Sequence, residues 1–203
     1  MKTKPQTSDD TKASRQQIRP GGRTARNTAQ IEQVAVKLLV EQGYQGLTFQ
    51  AISKETGINR STLYRRWPTR AELAIDVMLN TIQGNVVFED YGSLEKDLRD
   101  VLNQTCKFIA SPVGSTFIIA TLEMQQLGDL TLDKGFLWKE RSKLMLSLFE
   151  RAKARGELGQ DFDSEIMFAL LVGSFYFRLI VMGEKPDQKW VERVLKQFFH
   201  MRS

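Results

Sequence analysis

The chain has 203 residues, 41% hydrophobic and 26% charged, the balance of a soluble globular protein large enough for one big domain or two small ones. A single histidine, His200 near the C-terminus, and a single cysteine, Cys106, leave no catalytic triad, no metal-ligand cluster and no intrachain disulfide. The net charge of +5 is unevenly held, with 13 Lys and Arg against 5 Asp and Glu in residues 1–70 and 16 against 19 in residues 71–203.

A basic first third on a mildly acidic remainder is the footprint of a polyanion-binding module joined to something else, or of a solvated basic tail. No run approaches the roughly 18 apolar residues of a membrane helix. The N-terminal segment lacks the apolar stretch of a secretory signal, so the expected compartment is the cytoplasm. Residues 1–22 are polar, carry Pro5, Pro20, Gly21 and Gly22, and are expected to form a disordered basic arm.

From Arg23 the pattern changes. Ile31, Val34, Ala35, Leu38 and Leu39 mark one face of a helix that Gly43 ends. Thr48 is an N-cap candidate for a short helix over FQAISKE, Gly57 supplies a left-handed turn, and Asn59 caps a second short helix. Leu63 and Trp67 are expected in the small core; Pro68 stops the second helix and Thr69 opens a fourth, reaching about Gln83. After a loop over Gly84–Ser93, helices are expected at about Ser93–Ala110, Pro112–Leu127, Asp129–Gly156, Asp163–Met182 and Asp187–Met201. No strand-like alternation is long enough to matter, so the fold class is all-α, with about nine helices.

Two short helices joined by a glycine turn, the second rich in hydrogen-bond donors, are the build of a helix-turn-helix DNA reader. The order GY…LTFQAIS…TGINRSTLYRRWPTRAEL closely resembles the DNA-binding domain of the tetracycline-repressor (TetR) family across residues 23–73. The segment GELGQDFDSEIMFALLVGSFYFRLIVMGEKPDQKWVERVLKQF also resembles the C-terminal region of one branch of these regulators, whereas residues 84–155 carry no motif of this kind. The resemblance implies a reader over residues 23–83 and a ligand-binding and dimerisation domain over 84–203.

Arg60, Ser61 and Thr62 stand at the end of the recognition helix that would enter the major groove, with Arg65 further along. Arg60 suits guanine O6 and N7, and Thr62 suits a thymine methyl or a phosphate. Thr48 is equally a phosphate contact at a helix N-terminus and a plain cap; Gln50, in the first turn of that helix, is within reach of a base or phosphate. By resemblance Tyr64 is a phosphate contact, Arg66 stands where a histidine is frequent, and Arg70 matches a basic phosphate clamp. Arg19, Arg23 and Arg26 flank Pro-Gly-Gly and form either a mobile minor-groove arm or a tail without contacts.

In the last two helices, Ile166, Leu170, Gly173, Phe177 and Ile180 line one face and Val191, Val194, Leu195 and Phe198 another, while Leu171, Ser174 and Phe175 add a second side to the first helix. A helix apolar on two sides is buried on two sides. Pairing both helices with symmetry mates would give a homodimer through residues 163–201, suited to palindromic double-stranded operator DNA. The alternative is a central helix in a monomer.

Candidate pocket residues for a small apolar effector are Phe108, Phe117, Met124, Phe136, Trp138, Phe149 and Tyr176, each also a plausible plain core residue. Glu123 and Arg178 are either polar handles in that pocket or members of surface contacts and salt bridges. Cys106 is a redox sensor or a small buried hydrophobe. The fourth helix is expected to be the only element joining reader to body. Together these features favour a ligand-responsive DNA-binding repressor without cofactor or membrane partner, over an architectural or protein-partner module that senses nothing, and over an all-α enzyme.

Overall fold

The computed structural model describes residues 22–129 and 136–200, with backbone alone at Arg23, 136–142 and Leu144. The elements are α1 (Arg23–Gly46), α2 (Phe49–Thr56), α3 (Arg60–Arg66), α4 (Arg70–Asn85), α5 (Leu94–Ala110), α6 (Pro112–Gln126), α7 (Phe136–Ala154), α8 (Ser164–Tyr176) with a π-helical turn at Phe177–Val181, and α9 (Gln188–His200). There is no strand among the described residues, and the fold is all-α. Residues 1–21, which make up nearly all of the expected arm and include Arg19, lie outside the described residues.

Local chemistry sets the boundaries of the first four helices. Gly43, at φ +68°, breaks α1 where a helix end was expected, and one further turn carries the chain to Gly46. Thr48 Oγ1 accepts from the Ala51 N–H at 3.1 Å, Asn59 Oδ1 from the Ser61 N–H at 2.9 Å, and Thr69 Oγ1 from the Glu72 N–H at 3.1 Å. Each such cap stabilises its helix by about 1 kcal/mol. Gly57, at φ +70°, closes α2 in the left-handed conformation.

Ile31, Ala35, Leu38 and Leu39 of α1 enclose a small core with Leu47, Ile52, Leu63 and Trp67, all buried. That core continues without interruption into α4 through Leu73 and Val77, and Leu79 is packed against it. α4 is not the only connection between the reader and the remaining helices, because α1 packs directly along α6. The expected single hinge is therefore replaced by two contacts, one covalent through α4 and one by packing.

Within the body, α5 is central and touches α4, α6, α7, α8 and α9. It meets α6 at a 78° bend, where Ser111 caps α6 and Pro112 occupies its first turn. Gly114 permits this corner: a Cβ there would lie 2.0 Å from the Phe108 carbonyl oxygen and 3.0 Å from Ile109 Cα. Both neighbours are backbone, so Gly114→Ala must open the corner. The expected loss is about 1–3 kcal/mol, read as a lower urea midpoint at unchanged m-value.

Two expectations need correction, and a third lies partly outside the described residues. Asp129, where a helix was expected to start, is itself non-helical and its carboxylate bonds to Tyr44 and Arg70; the described part of α7 begins at Phe136. The apolar face of α9 is not free to pair with a symmetry mate, because Val191, Leu195 and Phe198 are buried within the chain, where α9 packs on α5. Finally, Ser164–Val181 does reach membrane-helix length, with a mean hydropathy of 1.6 over 18 residues. One side of it, Phe168, Leu171, Val172 and Phe175, is buried in the core; on the other, Ile166, Leu170, Phe177 and Ile180 remain 59, 59, 55 and 46% exposed. Its last turn widens to π geometry, the Met182 N–H donating to the Phe177 carbonyl at 3.1 Å.

Candidate nucleic-acid interface

α3 displays its polar side chains on a buried base. Leu63 and Trp67 anchor it, while Arg60, Ser61, Tyr64, Arg65 and Arg66 are exposed and Thr62 is half-buried. Arg60 and Arg65 make no ion pair among the described residues, so both guanidiniums are available to an outside acceptor. The Tyr64 ring leans on Phe49 with centroids 4.4 Å apart, which fixes a 51% exposed phenol at the surface. Gln50 is exposed one residue into α2.

Other expected contacts are already engaged within the protein. Ser61 Oγ donates to Asn59 Oδ1 at 3.0 Å, and the Thr48 hydroxyl oxygen serves as a cap. The Arg66 guanidinium stacks 4.5 Å from the Trp67 ring centroid, lies 3.8 Å from Asp76 Oδ2 and donates to Thr28. It braces α3 against α1 and α4. Arg23 and Arg26 are not part of a mobile arm: α1 is helical from Arg23 onward, with Arg26 exposed on its first turn.

Arg70 is engaged by residues outside α2 and α3. Its Nη2 lies 2.6 Å from Asp129 Oδ2, and its guanidinium sits 4.2 Å over the Tyr44 ring. The Tyr44 hydroxyl donates to the same carboxylate oxygen at 2.9 Å, and the Tyr44 N–H donates to Glu123 Oε2 at 3.2 Å. Burial, then the bond to Asp129, pushes the Tyr44 phenol up to about 12. The Arg70 hydrogen bond, then that of Tyr44, lowers the Asp129 carboxyl below its ordinary value. Burial weakens the Arg70 charge, yet its bonds to Asp129 and Tyr44 outweigh this and leave its pKa raised. Because folding favours neutral Tyr44, its share of stability is complete below pH 10 and lost as the pH rises through about 12.

The roles of Tyr44 and Asp129 are not visible in the sequence; the one available signal is an aromatic residue directly after the helix-breaking Gly43. Glu123 proves to be a contact to Tyr44, and Arg178 pairs with Glu184 at 2.9 Å while stacking 4.6 Å from the Trp190 centroid. Of the candidate pocket residues, Phe108, Phe117, Met124 and Phe149 are buried and Tyr176 is half-buried. Phe108 meets Phe117 edge to face at 6.0 Å, whereas Phe149 packs on Phe162 at 5.4 Å. The side chains of Phe136 and Trp138 lie outside the described residues. Cys106 is buried among core residues, and burial raises its thiol pKa, which disfavours a reactive thiolate.

An exposed cationic helix on a glycine turn, carried by an all-α body, defines a helix-turn-helix DNA-binding regulator. Residues 31–77 match the model of bacterial regulatory proteins of the tetR family, and residues 88–198 match the tetracyclin repressor-like C-terminal domain. The chain belongs to the TetR family of transcriptional regulators, whose members are regulators and not enzymes. It is 27% identical over 161 residues to the HTH-type transcriptional regulator AqdR of Rhodococcus erythropolis, covering 79% of this chain and 78% of that one. It is 29% identical over 165 residues to an HTH-type transcriptional regulator of Mycobacterium bovis, covering 80% of each. Among solved structures, the TetR family transcription regulator SCO0332 superposes with a TM-score of 0.72 at 23% identity, over 85% of this chain and 96% of that one.

Proposed function

We propose that the protein is a dimeric repressor, released from a palindromic operator when a small apolar effector occupies its body. In this reading residues 23–83 read DNA and 84–203 sense and pair. The observation that carries it is the juxtaposition of the exposed cationic face of α3 with an apolar body that touches the reader through both α4 and α1–α6 packing. Arg60 and Arg65 contact DNA directly, and Thr48, Gln50, Thr62 and Tyr64 add further contacts.

Dimerisation uses the exposed side of α8 and its π turn, Ile166, Leu170, Phe177 and Ile180, covered by the same stripe of a second copy. A protein partner suits this stripe better than lipid, because 18 residues barely span a bilayer and the same segment carries Glu165 and Arg178, which pairs with Glu184. Phe108, Phe117, Met124, Phe149 and Tyr176, with Phe136 and Trp138, supply the apolar groups from which an effector site would be built. A regulator of this kind works in the cytoplasm, beside the DNA.

A ligand shifts an equilibrium only through its difference in affinity between two states. An operator is first selected from a random duplex pool; hydrophobic small molecules that raise the melting temperature are then tested for operator release. Saturation at a hundred times Kd stabilises by about 2.7 kcal/mol, well within detection. Stabilising compounds should release the operator. Compounds that stabilise the fold and leave DNA affinity untouched would favour a module that senses nothing.

A further inference from the structure

Arg70 belongs to the reader by position and to the body by contact. It opens α4 just after the Thr69 cap, four residues beyond the end of α3, yet its ion-pair partner Asp129 lies past the end of α6. Two hydrogen bonds converge on one Asp129 oxygen, from Arg70 at 2.6 Å and from Tyr44 at 2.9 Å, while the Tyr44 ring supports the guanidinium from below.

We infer that Asp129 is an internal competitor of the DNA backbone: its carboxylate holds Arg70 in the DNA-free protein and must be displaced before a phosphate can take its place. This rests on the reading of Arg70 as a phosphate contact. Carboxylate and phosphate both offer a guanidinium anionic oxygens in the geometry it prefers, so one can replace the other. The exchange is accessible because the Arg70 and Asp129 side chains are 31 and 35% exposed. A pair so open to water is held weakly enough to be traded. The Tyr44 stack does not depend on which anion is bound, so Arg70 keeps its place while changing partners.

The test uses full-length protein and a duplex of random sequence, because a phosphate contact is blind to sequence. Asp129→Asn should bind that duplex about 5-fold more tightly than wild type, the upper range for a half-exposed pair. Arg70→Ala should bind more weakly, with a salt dependence about one unit shallower. In the Arg70→Ala background the Asp129→Asn gain should vanish. Tyr44→Phe keeps the ring under Arg70 but removes one bond to the carboxylate, and should tighten binding in the same direction by less. An Arg70→Ala variant with unchanged affinity would defeat the phosphate reading itself. If Arg70→Ala weakens binding while folded Asp129→Asn and Tyr44→Phe gain nothing, or if the Asp129→Asn gain survives without Arg70, the competition is disproved.

Discussion

Phe177→Glu is expected to convert a dimer of twice the 23.2 kDa chain mass into a folded monomer. Phe177 is 55% exposed and lies on the stripe formed by Ile166, Leu170 and Ile180, so the single chain does not need it for its core. Burying a large apolar side chain of this kind in an interface contributes roughly 1.5–3 kcal/mol. A glutamate there is introduced twice, once per copy, and desolvating each charge costs several kcal/mol. Helical content by circular dichroism should be unchanged, while sedimentation at micromolar concentration reports the monomer. DNA binding falls with it, because two linked readers exceed one by about 10²- to 10⁴-fold in affinity. A variant that stays dimeric would move the interface away from α8.

Arg60→Ala is expected to erase much of the preference for the operator over random DNA. Arg60 is the first residue of α3, exposed, and makes no ion pair among the described residues. A bidentate contact to guanine supplies about 1–3 kcal/mol of discrimination, equivalent to about 5- to 150-fold. The loss should therefore appear with the selected operator and be small with a random duplex at the same salt concentration. Equal losses on both would make Arg60 a phosphate contact. Arg66→Ala is a poorer probe, since Arg66 braces α3 through Trp67, Asp76 and Thr28.

The all-α class, the two reader helices and the family were legible in the residues themselves, because the signals that carry them are local. Thr48, Asn59 and Thr69 cap helices within three residues of themselves, and Gly57 closes α2 through its own left-handed backbone. Ile31, Ala35, Leu38 and Leu39 announce a buried face by spacing alone, and Leu63 and Trp67 are buried as expected. Family resemblance identified Arg70 as a cation of the reader, but nothing near it in the chain named its partner. Asp129 lies 59 positions away, and an ion pair at that separation exists only once α1, α4 and the end of α6 have packed.

Periodicity likewise showed that α8 and α9 are apolar, without saying against what. α9 has a single face, and α5 covers it; α8 has two, and the chain covers only one. Which apolar stripe is satisfied at home and which is left for a partner is decided by the competition of all nine described α-helices for one core. That outcome is a property of the assembled shape, and no segment holds it alone.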